Sequence, residues 1–173
     1  MRTFSADIVK CEGEEVELIG WIHARRDHGK LIFIDLRDRE GLAQVVFAPK
    51  SGEAASGQGL SHDNPAELRL EYVIKVSGLV KKRPAAMINP KLSTGEYEVQ
   101  AKTLEIINRA EPLPIPIDTD GHEIGEEARL RYRYLDLRRE RLRQNLVMRH
   151  RVVKFFRDYL SERGFVEVET PLL

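Results

Sequence analysis

The chain has 173 residues, enough for one ordinary domain and part of another, and its 42% hydrophobic and 32% charged content fits a globular fold with a heavily charged surface. Its 28 Lys and Arg are balanced by 28 Asp and Glu, which excludes a uniformly basic nucleic-acid binder and requires any RNA-binding charge to be arranged locally. One cysteine, Cys11, excludes an internal disulfide and a thiolate cluster, and the five histidines at 23, 28, 62, 122 and 150 have no ligand spacing, so no protein-bound metal is expected. The N-terminus lacks the apolar stretch of a secretory signal and no segment approaches the length of a membrane span, so a cytoplasmic protein without membrane contact is expected.

The first predicted strand covers residues 15–26, with Val16, Leu18 and Ile22 as the apolar set and Gly20 in its middle. An interior glycine in a long strand marks a bulge or bend, as when one strand serves both sides of a small barrel. Asp27-His28-Gly29 is a turn signal, and a second strand follows over residues 31–36. Ile32, Ile34 and Leu36 share one face of it, which leaves Phe33 on the other face beside Asp35 and Arg37. A third strand over residues 42–47 puts Ala43, Val45 and Phe47 on one face and Gln44 on the other.

An outward aromatic among charges is suited to stacking an unpaired base. Arg25 and Arg26 lie just upstream, and Gln44 carries both a donor and an acceptor. Together these residues read as a reader of single-stranded RNA. The alternatives are that Phe33 packs under a loop or at an interface, and that the arginines belong to a solvated turn.

A Gly, Ser and Ala-rich loop is expected over residues 49–61, then a short helix over 65–69 capped by Asn64 with Pro65 at its first position. Strands over residues 72–82 and 96–107 follow, separated by a long loop at 84–94. Three strands, a short helix and two strands give the order of an OB-fold, a five-stranded Greek-key barrel whose second and third strands form the usual oligonucleotide site. The chain is therefore expected to be mainly β. Residues 111–116 (EPLPIP) read as a stiff linker. Helix is expected again from about residue 126 and most clearly over 140–163, where Leu142, Leu146, Val153, Phe156 and Leu160 form one stripe ended by Gly164. Alternation over residues 165–170 reads as the start of a strand, with Pro171 after it. A stripe and a fresh strand call for a partner surface, so the chain is expected to be the front part of a larger protein, or to bury the stripe in an oligomer.

The arginine-dense stretch 129–151 has two readings, contact with an RNA backbone or a solvated helix whose arginines pair with Asp136, Glu140 and Glu126. The second is expected for most of them.

The segments RRDHGKLIFIDLRDREGLAQVVF at 25–47, TGEYEV at 94–99, RLRYRYLDLRR at 129–139 and GFVEVETPLL at 164–173 resemble, in this order and spacing, the N-terminal part of the bacterial-type aspartyl-tRNA synthetases of class II. The last segment resembles the first motif of that class, and LIFIDLRDREG favours the aspartyl branch over the lysyl and asparaginyl relatives. The resemblance implies an anticodon-binding OB-fold at residues 1–108, a hinge at 109–128 and the beginning of a catalytic α+β domain at 129–173. It implies that Phe33 stacks on an anticodon base, that Gln44 bonds base edges, and that Arg26, Arg83 and Glu98 hold or read the anticodon loop. As a carboxylate, Glu98 suits the exocyclic amine of cytosine, its alternative being a rim carboxylate paired to a lysine.

For the whole enzyme the resemblance implies activation of aspartate with ATP and Mg2+, transfer to tRNA-Asp, and a homodimer with Pro171 at its interface. The later motifs that bind ATP are absent from this sequence, so no catalytic residue and no bound cofactor is expected here. Two positions depart from the family pattern. Ala24 stands where many members have a base, and the loop Pro-Ala-Ala-Met-Ile-Asn at 84–89 is uncharged. Family members either charge only tRNA-Asp or also charge tRNA-Asn, whose anticodon ends in U in place of C. His28, with the small uncharged loop near Ala85, leans toward the relaxed type, the alternative being a surface histidine without a role. A stand-alone OB-fold RNA-binding module and a structural appendix remain the competing classes.

Overall fold

The computed structural model describes residues 2–48, 64–90 and 92–171, so the loop expected at 49–61 lies outside the described residues. Two compact units divide the chain, Met1–Pro112 and Leu113–Leu173.

The first unit is a closed barrel of five strands: β1 (Glu15–His28), β2 (Leu31–Arg37), β3 (Leu42–Phe47), β4 (Val73–Lys82) and β5 (Tyr97–Asn108). Around the barrel their order is β1-β2-β3-β5-β4, antiparallel except where β3 meets β5. β1 does serve both sides. Residues Glu15 to Trp21 pair with β4, and Trp21 to His28 pair with β2, with a bulge between Ile22 and Ala24. The bend needs Gly20, because a Cβ there would lie 2.3 Å from the carbonyl oxygen of Arg37.

Period-2 alternation fills the interior. Val16, Leu18 and Ile22 of β1, Ile34 and Leu36 of β2, and Ala43, Val45 and Phe47 of β3 are buried in one cluster with Ile74, Val76, Val80, Val99 and Leu104. Leu68 and Tyr72, from the connection into β4, join the same cluster.

Ile8 also enters that core, from a 3-10 turn at Ser5–Lys10 that no apolar periodicity announces. Asp38 anchors the turn by accepting from the Ser5 amide at 2.7 Å and the Ser5 hydroxyl at 2.6 Å. The guanidinium groups of Arg2 and Arg39 lie 4.8 Å and 4.3 Å from the ring centre of Phe4, which precedes the turn.

The helix expected over residues 65–69 is shorter, a single 3-10 turn at Pro65–Glu67. Asn64 caps it as expected, its side chain accepting from the Ala66 amide at 3.0 Å. The loop after β4 contains a further 3-10 turn at Ala85–Met87.

The second unit holds α1 (Glu126–Arg131), α2 (Arg133–Asp136) and α3 (Glu140–Ser161). Its packed part is built on a buried ion pair. The Arg139 Nε donates to Asp136 Oδ1 at 2.8 Å, and its other nitrogens donate to the Pro116 carbonyl at 2.6 Å and to Thr119 Oγ1 at 2.8 Å. Arg129 and Arg133 donate to the same carboxylate. Gly121, at φ 83°, passes so close to Arg139 that a Cβ would sit 2.7 Å from its Nε. Among the described residues, Ile115 and Leu135 are the buried apolar side chains of this unit.

α3 ends in a Schellman motif, with the Phe165 amide on the Leu160 carbonyl and Gly164 at φ 82°. Its apolar stripe is exposed, Leu146, Val153, Phe156 and Leu160 included. The alternating stretch 165–170 is not a strand. A ladder needs a hydrogen-bonded neighbour, and none of the described residues pairs with it. No helix among the described residues is long and apolar enough to cross a membrane.

Candidate nucleic-acid interface

Alternation on β2 and β3 that fills the core with one set of side chains turns the other set outward. Register then fixes their neighbours. Arg26 of β1 lies opposite Phe33, which lies opposite Val46 of β3. In the next row Asp35 lies opposite both Ala24 and Gln44. Phe33 and Gln44 are therefore diagonal neighbours on the outer face, with Gln44 itself 7% exposed.

Phe33 is partly exposed and belongs to no part of the buried core cluster. Arg26, on the same face, is exposed and donates from one guanidinium nitrogen to both oxygens of Asp35 at 2.9 and 3.0 Å. Arg25 is not its companion. One step along a strand reverses the direction of a side chain. Arg25 grips Asp27 through two nitrogens, at 3.0 and 2.9 Å, and donates to the carbonyls of Ala66 and Leu68. It thus pins the 3-10 turn beside the barrel, and Arg26 alone of the pair serves the face.

Gln44, Arg83 and Glu98 are distant in sequence and meet in space. β3 and β5 run parallel, with Val45 opposite Val99 and Val46 opposite Gln100, and β4 delivers Arg83 just past its last residue. Arg83 is 6% exposed. Its Nη2 donates to Gln44 Oε1 at 2.5 Å, its Nη1 reaches the Met87 carbonyl at 3.4 Å, and its Nε lies 3.6 Å from Glu98 Oε2. That Nε is buried without a hydrogen bond, held by an ion pair slightly too long to be one.

Burial pulls the Arg83 guanidinium below the ordinary arginine value. Glu98 and Asp35 oppose the shift and Arg26 adds to it, which makes the four charges one electrostatic neighbourhood. An arginine stays protonated under such a shift, so the site keeps a fixed positive charge beneath a polar face.

The remaining expected positions are His28, Ala85 and Pro171, and Arg83 reaches the Met87 carbonyl in the turn that holds Ala85. His28 is the exposed last residue of β1, entering the turn where Gly29 has φ 62°. Ala85 begins the exposed 3-10 turn after β4. Pro171 is exposed in the second unit. Among the described residues no group of three or more His, Cys, Asp and Glu side chains is placed to hold a metal ion. Asp35 was not among the expected site residues, although its place two residues after Phe33 puts it on the same face.

This arrangement gathers an aromatic ring, a side-chain amide, two carboxylates and two guanidinium groups on one side of a five-stranded barrel. Residues 16–107 match the family described as OB-fold nucleic acid binding domain. The chain belongs to that OB-fold family. Beyond its OB-fold, residues 125–173 match the class II tRNA synthetases of the D, K and N group.

Curated relatives carry the name aspartate–tRNA(Asp/Asn) ligase. The protein of Moorella thermoacetica is 53% identical over 161 residues, 93% of this chain and 26% of the relative. That of Rubrobacter xylanophilus is 52% identical over 174 residues, 99% of this chain and 28% of the relative. The OB-fold chain thus spans about a quarter of the length of these relatives. Among solved structures, the aspartyl-tRNA synthetase of Entamoeba histolytica superposes with a TM-score of 0.80 at 19% identity, over 99% of this chain and 39% of that one. The asparaginyl-tRNA synthetase of Pyrococcus horikoshii gives 0.75 at 24% identity, over 99% and 36%. At these identities the two superpositions establish the fold.

Proposed function

We propose that this chain is the anticodon-binding N-terminal part of an aspartate–tRNA ligase, with the barrel holding the anticodon loop and the second unit beginning the catalytic domain. The observation that carries the reading is the outer face of β2 and β3, where Phe33 and Gln44 stand as diagonal neighbours and Arg83 and Glu98 complete the polar side. In this reading Phe33 stacks on a base, Gln44 and Glu98 bond base edges, and Arg26 and Arg83 supply charge to the loop. The family and the names of the curated relatives agree with it.

The whole enzyme, in this proposal, works in the cytoplasm as a homodimer, with Pro171 near the dimer interface. It activates aspartate with ATP and Mg2+ and esterifies the product to tRNA. What this chain contributes is selection of the tRNA.

We further propose relaxed selection, with tRNA-Asp and tRNA-Asn both accepted. The names of the relatives support it, as does His28 at the exposed tip of β1 with the uncharged turn at Ala85–Met87. The test is binding of the chain to two tRNA transcripts that differ only in C or U at the last anticodon base, with an unrelated tRNA as control. Binding of both transcripts more tightly than the control is the expected result. Equal, salt-sensitive binding to all three would replace the proposal with a general RNA binder.

A further inference from the structure

We propose that Arg83 is a positioning residue that locks the side-chain amide of Gln44 so that it meets a base as a hydrogen-bond donor. The inference rests on the anticodon reading above and names the chemistry of one contact within it. An amide offers an oxygen acceptor on one side and an NH2 donor on the other, and rotation by half a turn exchanges them. A free glutamine therefore tolerates either kind of base edge. Gln44 is not free. Its partner is a guanidinium, which has donors only, so the atom facing Arg83 must be Oε1. The opposite orientation would press NH2 against a guanidinium nitrogen, two donors meeting where both side chains are buried.

Arg83 cannot turn away. Its Nη1 reaches the Met87 carbonyl, its Nε faces Glu98, and its side chain is 4% exposed. The Gln44 NH2 is left over, with no acceptor among the described residues, on the face that Phe33 shares. A base stacked on Phe33 thus meets a fixed donor. Uracil and guanine answer it with a carbonyl oxygen, whereas cytosine and adenine bring an amino group at the corresponding edge. Glu98 adds an acceptor of fixed polarity behind the same arginine.

The experiment uses the chain and RNA hairpins in which each anticodon base is varied in turn, U against C and G against A, with binding read by fluorescence anisotropy. The wild-type chain is expected to favour the carbonyl base at one position. Gln44→Glu keeps an oxygen on Arg83 and turns the other oxygen outward, so the preference at that position is expected to reverse toward the amino base by roughly tenfold. Arg83→Lys, also donor-only, is expected to keep the wild-type preference, and Arg83→Met to flatten it to within about twofold. Should Arg83→Met fail to fold by circular dichroism, the reversal in Gln44→Glu decides. A wild-type chain that discriminates while Gln44→Glu keeps the same preference, or loses it without reversing, overturns the proposal alone. A wild-type chain that binds a scrambled loop as tightly as the anticodon loop overturns the anticodon reading, and the proposal with it.

Discussion

Arg26 and Asp35 face each other across β1 and β2, one guanidinium nitrogen donating to both carboxylate oxygens at 2.9 and 3.0 Å. The Arg26 side chain is 55% exposed and that of Asp35 is 13% exposed. As an exposed pair it adds at most about 1 kcal/mol to stability. Its consequence is electrostatic, because the carboxylate neutralises the cation nearest to Phe33 and tempers Arg83 as well. Asp35→Asn should release Arg26 to bind phosphate. Affinity for unrelated RNA is expected to rise, and the plot of log K against log salt to steepen by about one. An unchanged slope in a salt titration would show that Asp35 does not restrain Arg26.

Phe33→Ala removes a ring that lies outside the buried core cluster. The fold should therefore survive, with an unchanged melting temperature. Loss of one base stack is expected to weaken binding of the cognate anticodon hairpin by roughly 1–3 kcal/mol. The two measurements must be made on the same preparation, since a shared loss of stability and binding would mean that the ring is a packing residue.

The outer face was legible in the sequence because a strand has a period of two. Once Ile34 and Val45 are assigned inward, Phe33 and Gln44 have no freedom to be elsewhere. The same rule separates Arg25 from Arg26, although adjacency in the sequence suggests a basic pair. Other features depend on contacts that no local pattern encodes. Arg83 meets Gln44 across 39 residues through the parallel meeting of β3 and β5. The turn at Ser5–Lys10 is held by Asp38, 33 residues away from Ser5. The stretch 165–170 has the alternation of a strand, but alternation describes a face and not the neighbour that a ladder requires.

His28→Leu tests the relaxed reading. The residue ends β1 at an exposed turn and takes no part in the buried core, so the variant should fold like the parent. If His28 leaves room for either last base, leucine is expected to raise the preference for C over U, measured with the two tRNA transcripts. The same C-to-U ratio in both proteins would remove His28 from the specificity of the site.

Gly20→Ala places a methyl carbon 2.3 Å from the Arg37 carbonyl oxygen and 3.2 Å from the Leu36 side chain. Backbone cannot step aside as a flexible side chain can, so β1 must shift at the point where it passes from β4 to β2. The expected loss is about 1–3 kcal/mol, as for other overpacked interiors. Gly13→Ala is the control, since nothing lies within 4 Å of its added carbon and only the positive φ of 78° opposes it. Thermal unfolding should rank Gly20→Ala as the more damaging of the two.

Asp136 governs the packed part of the second unit. Burial works to raise its carboxyl, and hydrogen bonds from Arg129 and Arg139 outweigh that effect, leaving it below the ordinary 3.8. A carboxyl depressed on folding contributes stability while it is ionised in both states, above the unfolded value. That contribution shrinks as the pH drops below the unfolded value and is gone once the pH has passed through the folded one. Amides of residues 113–139 should therefore lose protection from hydrogen exchange in acid, below about pH 4. Asp136→Asn should reproduce the loss at neutral pH, because Arg139 is fully buried and would keep its charge without a counter-ion. Glu140→Gln, which removes the exposed ion pair with Arg143 and leaves a side-chain oxygen for Gln144, should leave protection nearly unchanged. Equal exchange in the two variants would show that the unit is held by its apolar contacts at Ile115 and Leu135, with the buried ion pair contributing nothing of its own.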